Sequence, residues 1–137
     1  VEPACRLLLY GYMEQTPKHI LVVDDDQALV NTLHDKLISK GYEVSVAHDG
    51  KEGLTQALAN HPDLILLDIM MPQMNGWEVL DGLNEDTWGK TARVVMLSNS
   101  DDMENVSQAV EHSMKDYIIK GAWPLDELVM KIEEKLA

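Results

Sequence analysis

Aspartates directly follow two apolar runs of the sequence, and they are the residues best placed to do chemistry in this chain. Asp24, Asp25 and Asp26 follow the first apolar run, and Asp68 follows the third. If these runs are parallel strands, their carboxyl ends meet at one edge of a sheet, where such folds bind ligands. Carboxylates about 4 Å apart repel each other by roughly 4 kcal/mol per pair at an effective dielectric near 20. An ionised cluster therefore needs a cation, unless one acid takes up a proton.

A serine and a lysine follow two further apolar runs. Ser98 follows the fourth run and Lys120 follows the fifth, so we expect both beside the acids. Oxygen ligands with room for water and a phosphate are what Mg²⁺ prefers, and a lysine ammonium is a suitable partner for phosphate. Together these groups would stabilise a phosphoryl group in transfer, where positioning and electrostatics do most of the catalysis. Asp68, which stands alone at its strand end, is the expected nucleophile.

Five short apolar runs predict the strands that position these residues. Four runs are continuous, which is typical of strands covered on both faces, and they lie at 20–23, 64–67, 94–97 and 117–119. The second run in chain order alternates, because Val44 and Val46 stand between polar neighbours. We therefore expect that strand at an edge of the sheet.

Helical spacing of apolar residues predicts five helices between and after these strands. The apolar positions, in chain order, are Leu29, Val30, Leu33, Leu37 and Ile38; Leu54, Ala57 and Leu58; Val79, Leu80 and Leu83; Val106, Ala109, Val110 and Met114; and Leu125, Leu128, Val129, Ile132 and Leu136. Asp26 is expected to cap the first helix, Gly41 to follow its end, and Pro124 to open the fifth. Strand–helix alternation of this kind predicts a doubly wound α/β fold, with a parallel five-stranded sheet and helices on both faces.

The motifs at the strand ends resemble the receiver domain of bacterial response regulators, the CheY-like family of two-component signal transduction. The resemblance covers about residues 19–136 and rests on four segments, ILVVDDD at 20–26, LLDIMMPQMNG at 66–76, VMLS at 95–98 and DYIIK at 116–120. Each motif is weak alone, but the ordered set is very specific. The resemblance implies a flavodoxin-like sheet with strand order 2-1-3-4-5 and a receiver domain over residues 19–137.

The resemblance also implies a role for each acid. Asp68 would accept a phosphoryl group from a phosphohistidine on a sensor histidine kinase or a histidine phosphotransfer protein. Asp25, Asp68 and the backbone carbonyl of Met70 would bind Mg²⁺ directly, and Asp24 would act largely through water. Beyond self-catalysed transfer to Asp68 and slow self-dephosphorylation, no enzyme activity is expected.

A switch function for three further residues is implied in the same way. Ser98 would be the switch hydroxyl, Lys120 would bridge Asp68 and the phosphate, and Tyr117 would be the aromatic residue that swings inward. The face that changes would comprise the fourth helix, the fifth strand and the fifth helix, and it would bind a downstream protein or a second copy of the chain on phosphorylation.

Two positions depart from the family pattern. Asn99 follows Ser98 where the family usually has a small Ala or Gly, and Gly121 follows Lys120 where the family usually has a proline after a cis bond. Because a cis bond to a residue other than proline costs about 2.5–4 kcal/mol, we predict a trans Lys120–Gly121 bond. These departures leave open a pseudo-receiver, which signals by protein interaction without phosphorylation.

Composition narrows the remaining functions. The 137 residues suffice for one domain, and the formal net charge of −13, from 11 Lys+Arg against 24 Asp+Glu, argues against direct contact with nucleic acid or an anionic membrane. The single cysteine suits a reducing, cytoplasmic environment. We expect residues 1–18 to be an N-terminal extension, of which 1–12 are vector-derived or translated from upstream. A small phosphohydrolase with an aspartyl-phosphate intermediate is a less favoured alternative. Enzymes of that class need a cap over the active site and a further acidic pair late in the chain, and this chain is too short for them.

Overall fold

Five parallel strands form one sheet in a computed structural model, which describes residues 17–98, 117–119 and 124–136. The strands are β1 (His19–Val23), β2 (Glu43–Ala47), β3 (Leu64–Asp68), β4 (Val94–Ser98) and β5 (Tyr117–Ile119). Their order in the sheet is β2-β1-β3-β4-β5. This confirms the predicted parallel sheet, its strand order and the edge position of the second strand.

Four α-helices lie within the described residues. They are α1 (Gln27–Ser39), α2 (Gly50–Asn60), α3 (Gly76–Asn84) and the C-terminal helix (Leu125–Leu136), and a short 3₁₀ helix spans Gly89–Thr91. The predicted fourth helix, around Val106, lies outside the described residues, as do positions 1–12. None of the helices in the described part of the chain is long and apolar enough to cross a membrane.

The helix ends follow the local chemistry expected of them. The Asp26 side chain accepts a hydrogen bond from the Leu29 N–H at 3.3 Å, which confirms it as the cap of α1. Gly41 follows that helix with a φ of +94°, a conformation that glycine adopts at little cost. Pro124 directly precedes the C-terminal helix, and its carbonyl accepts from the Leu128 N–H at 2.9 Å.

Side chains from the central strands alternate between two apolar clusters, one on each face of the sheet. Leu21, Val23, Ile65, Leu67 and Met96 lie in the cluster that includes residues of α2 and α3. Ile20, Val22, Leu66, Val95 and Leu97 lie in the cluster that includes residues of α1 and the C-terminal helix. The sheet is therefore covered on both faces, which is the predicted doubly wound arrangement.

β5 differs from its prediction. Its continuous apolar run suggested cover on both faces, yet Tyr117 and Ile119 are only half-buried, and Ile118 alone is buried. The reason is its place at the edge of the sheet beside β4. A three-residue apolar run does not by itself distinguish a central strand from an edge strand.

Strand register places the polar strand ends side by side. Val23 is paired with Leu67, Asp68 with Leu97, and Ser98 with Ile119. The carboxyl ends of β1, β3, β4 and β5 therefore finish at the same edge of the sheet, here called the carboxyl rim and represented by Asp24, Asp25, Asp68 and Ser98.

Candidate functional site

Three carboxylates converge at the carboxyl rim. Asp24 and Asp25 directly follow β1, and Asp68 is the last residue of β3. One carboxylate oxygen from each lies within 4.8 Å of the other two. Asp24 is 0% and Asp68 is 2% exposed, whereas Asp25 is exposed to solvent. The structure thus brings together the three acids that the sequence singled out.

Backbone hydrogen bonds hold Asp24 in place. Its N–H donates to the Ala47 carbonyl at 3.1 Å, which continues the β1–β2 pairing by one residue. Its Oδ1 accepts from the Asp26 N–H at 2.9 Å. Because the Asp26 carboxylate caps α1 instead, the acidic triplet divides into two residues of the cluster and one helix cap.

A glycine sets the position of the loop that follows Asp68. The Gly76 N–H donates to the Ile69 carbonyl at 2.9 Å, so the chain folds back beside the end of β3. A Cβ at Gly76 would lie 2.5 Å from the Asp68 carbonyl oxygen, which is closer than non-bonded atoms approach. Gly76 is therefore a positioning residue, a role that its motif alone did not predict. The Asn-Gly pair at the start of α3 was the available signal.

The loop between β3 and α3 has a defined shape. Gln73 has a φ of +69°, and the Met74 N–H donates to the Pro72 carbonyl at 2.8 Å. Asn75 and Glu78 then form a capping box, in which each side chain accepts from the other's backbone N–H. This loop carries Met70, whose backbone carbonyl is a predicted metal ligand.

The Met70 side chain is exposed, unlike those of the two other methionines in this loop. It is 64% exposed, whereas Met71 is buried and Met74 packs partly against the same core cluster. The predicted role of the Met70 carbonyl does not depend on the side chain and stays a prediction.

Ser98 lies on β4, the strand next to that of Asp68, and Tyr117 lies on β5, one strand further out. Ser98 ends β4 and is 1% exposed, and the register sets its neighbour Leu97 opposite Asp68. Tyr117 begins β5, opposite Met96, and packs partly against the cluster on the α2–α3 face. Ser98 is thus at the carboxyl rim, whereas Tyr117 is the first residue of β5 and lies two residues before the carboxyl end of that strand.

Several predicted residues lie outside the described part of the chain. They are Lys120 and the Lys120–Gly121 bond, Asn99, and the predicted fourth helix around Val106, which belongs to the predicted signalling face. Their roles stay predictions.

The electrostatics of the cluster favour a cation. At 4.8 Å or less, each pair of ionised carboxylates repels by more than about 3 kcal/mol at an effective dielectric near 20. Burial of Asp24 and Asp68 reduces the screening that water provides. The donor set is entirely oxygen, and the exposed Asp25 leaves one side open to water. These features fit Mg²⁺, which binds carboxylates while keeping several waters.

Comparisons with known proteins agree with this geometry. A family model described as "Response regulator receiver domain" matches residues 20–133. The DNA-binding response regulator MtrA of Mycobacterium tuberculosis is 37% identical over 124 residues, which cover 90% of this chain and 53% of MtrA. The chain spans between 24% and 53% of the length of three curated relatives that it matches, MtrA among them.

Two solved structures are similar in fold. A CheY-like receiver domain protein from Methanospirillum hungatei has a TM-score of 0.78 and 32% identity, covering 88% of this chain and 94% of that one. The response regulator TrrA from Thermotoga maritima, solved with Mg²⁺ and beryllofluoride, has a TM-score of 0.73 and 30% identity, covering 86% of this chain and 98% of that one.

Proposed function

The chain belongs to the response regulator receiver family, and from this membership we propose that it is a phosphoryl-accepting switch of a two-component phosphorelay, with Asp68 as the acceptor. Receiver domains are signalling switches rather than enzymes in the usual sense. The observation that carries the proposal is the convergence of three carboxylates within 4.8 Å, with Asp68 buried at the centre of the sheet edge. The phosphoryl donor is a phosphohistidine on a sensor histidine kinase or a histidine phosphotransfer protein.

Asp68 is the nucleophile in the proposed transfer. A carboxylate oxygen of Asp68 forms a bond to phosphorus while the phosphorus–nitrogen bond of the donor breaks, and the imidazole nitrogen keeps the electron pair. Burial holds the Asp68 carboxylate at the end of β3, so little reorganisation is needed before attack. The hydroxyl of Ser98 and the ammonium of Lys120 are assigned to the phosphoryl oxygens.

Asp25, Asp68 and the Met70 carbonyl are the proposed direct ligands of Mg²⁺, and Asp24 acts mainly through water. Bound there, the ion would neutralise the acid cluster and the phosphoryl oxygens. Asp24 is oriented by the Asp26 N–H, which fixes the carboxylate without requiring a metal. Asp26 itself is engaged in capping α1 and is not a proposed ligand.

The phosphorylation test is incubation with acetyl phosphate and Mg²⁺, followed by intact mass. The wild-type chain should gain one phosphoryl group, and Asp68→Asn should gain none. Asp25→Asn should slow the reaction strongly because it removes a metal ligand, whereas the matched control Asp26→Asn should not. A labelled Asp68→Asn protein would disprove the assignment. Wild-type protein that takes up no phosphoryl group from acetyl phosphate or a phosphorylated kinase would favour the pseudo-receiver.

The proposed output is a shift of the face formed by the predicted fourth helix, β5 and the C-terminal helix. Ser98 moves toward the new phosphoryl oxygens, and Tyr117 fills the space that opens beside β5. The half-buried position of Tyr117 supports this, since a half-buried aromatic ring has solvent on one side and core on the other. The face would bind a downstream protein or a second copy of the chain.

Amide exchange with and without beryllofluoride tests this route. Protection should change between residues 98 and 123, and Ser98→Ala should blunt that change while Asp68 is still phosphorylated. Changes confined to α1 would exclude the route. Direct contact with nucleic acid is not part of the proposal, although MtrA is named a DNA-binding regulator and this chain spans about half of it.

A further inference from the structure

A cavity of about 470 Å³ lies at the opposite edge of the sheet from the acid cluster. Lys18, Asp63 and Arg93, which line it, directly precede β1, β3 and β4. A five-residue strand rises by about 3.3 Å per residue, so the cavity is roughly 15 Å from the carboxyl rim. Its volume is within the range of small-ligand sites. It is therefore separate from the proposed phosphorylation site.

The charges that line the cavity leave a surplus of one positive charge. Lys18 and Arg93 contribute two cations and Asp63 one carboxylate. The whole chain carries a formal charge of −13, so this surplus is a local exception. Asp63 is already engaged, because its Oδ2 accepts from the His19 N–H at 2.8 Å. The charge balance suits a ligand with a single negative charge.

The guanidinium of Arg93 is held in a defined direction. One of its N–H groups donates to the backbone carbonyl of Lys135. A guanidinium has five N–H donors arranged as a planar fork that matches a carboxylate. Held at one end by the C-terminal helix, Arg93 can present the other donors to the cavity without a large loss of side-chain freedom.

Two stacked rings form another wall of the cavity. The rings of His61 and Trp88 are parallel within 5°, and their centroids are 4.2 Å apart. His61 has a left-handed backbone with a φ of 48°, and its N–H donates to the Ala57 carbonyl at 2.9 Å. This strained conformation at the end of α2 places the ring against Trp88. Both residues line the cavity, and ring surface of this kind favours contact with an aromatic ligand.

From these features we propose that the cavity binds a small aromatic carboxylate. Its carboxylate is paired with Arg93 and Lys18, and its ring lies against the His61–Trp88 wall. Leu136 and Ala92 add apolar surface to the lining. The proposal does not depend on phosphorylation, because none of these residues belongs to the acid cluster.

Benzoate and its neutral isostere benzamide are suitable probes. Each is titrated into the full chain, without Mg²⁺ or a phosphodonor, while amide and indole chemical shifts are recorded. Benzoate should give saturable shifts at residues 61–63, 88–93 and the Trp88 indole, and benzamide should bind at least about tenfold more weakly because the charge-assisted hydrogen bonds are lost. Equal binding of both probes, or shifts that do not saturate, would overturn the proposal.

Variants separate the cavity from general surface charge. Arg93→Gln should weaken benzoate binding about tenfold, and Lys18→Gln should weaken it in the same direction. The control Lys51→Gln removes an equal charge from α2, outside the cavity, and should leave the affinity unchanged. If Arg93→Gln does not fold, Lys18→Gln decides the question. Equal loss in the Lys18 and Lys51 variants would refute the assigned contacts.

Discussion

The two rims of the sheet arrange their charges in opposite ways. At the carboxyl rim, Asp24, Asp25 and Asp68 bring like charges within 4.8 Å of one another. At the other edge, here called the amino rim, the residues directly before β1 to β4 are Lys18, Tyr42, Asp63 and Arg93. These four include both signs of charge and a neutral hydroxyl.

Hydrogen bonds accompany the mixed charges of the amino rim. The Tyr42 hydroxyl donates to Glu133 at 2.9 Å, and the Arg93 guanidinium donates to the Lys135 carbonyl. The Asp63 carboxylate accepts from the His19 N–H at 2.8 Å. Two of these bonds attach the C-terminal helix to the start of the sheet, so the amino rim stabilises the fold.

At the carboxyl rim, the like charges of Asp24, Asp25 and Asp68 repel one another. Proteins break local rules of stability mainly at functional sites, where the cost is offset elsewhere in the structure. The like charges therefore mark the carboxyl rim as a site for an added cation, whereas the hydrogen bonds of the amino rim hold the C-terminal helix to the sheet. This difference predicts that substitutions of the same chemical kind have opposite effects at the two rims.

The largest expected effect is a reversal of sign for Asp25→Asn when Mg²⁺ is added. Without Mg²⁺ the variant should be more stable than wild type by about 1 kcal/mol, because removing one charge relieves repulsion that solvent exposure of Asp25 partly screens. With Mg²⁺ at about 100 times its Kd, wild type should gain about 2.7 kcal/mol, and the variant should gain much less. Urea unfolding followed by tryptophan fluorescence measures both differences.

Asp63→Asn is the matched control at the amino rim. It should lower the free energy of unfolding by about 1 kcal/mol, because it weakens the hydrogen bond from His19. The loss should be the same with and without Mg²⁺. If both aspartate variants shift stability in the same direction in metal-free buffer, the contrast between the rims is wrong.

The carboxyl rim was predictable because its signals are local in the sequence. Each apolar run ends in a polar residue, and parallel strands carry those residues to one edge whatever the details of packing. The sequence therefore predicted correctly that Asp24, Asp25, Asp68 and Ser98 lie at one edge of the sheet. The role of Asp26 as the cap of α1, apart from Asp24 and Asp25 of the acid cluster, was also predictable, since an aspartate just before a helix is a common cap.

The amino rim was not predicted, because its bonds join residues that are distant in sequence. Tyr42 and Glu133 are 91 positions apart, and Arg93 and Lys135 are 42 apart. Periodicity identifies the face of a helix but does not choose the polar partner that reaches across to it. The partial exposure of Tyr117 and Ile119 did not follow from the apolar run of β5 for a related reason, since burial depends on which neighbours the fold supplies.

The smallest expected effect tests whether the amino rim contributes stability through Tyr42. Burial, followed by the hydrogen bond to Glu133 and the charge of Glu133, raises the pKa of the Tyr42 hydroxyl above its usual 10.0. A raised pKa means that the folded state favours the neutral hydroxyl. The stabilisation is therefore fully present below the unfolded pKa and is lost as the pH rises through the folded pKa.

Tyr42→Phe should lower the free energy of unfolding by less than about 1 kcal/mol near neutral pH, because the hydroxyl is only half-buried. The difference from wild type should stay constant from about pH 6 to about pH 9. It should shrink above about pH 10, because the unfolded wild-type chain begins to lose the Tyr42 proton there. Urea unfolding at a series of pH values measures it. Glu133→Gln keeps an acceptor but removes the charge, so the pKa of Tyr42 should be raised less and the alkaline loss of stability should be smaller and end at a lower pH. A Tyr42→Phe difference that grows above pH 10 would contradict the assigned sign, and no difference at any pH would mean that this bond does not hold the C-terminal helix at the amino rim.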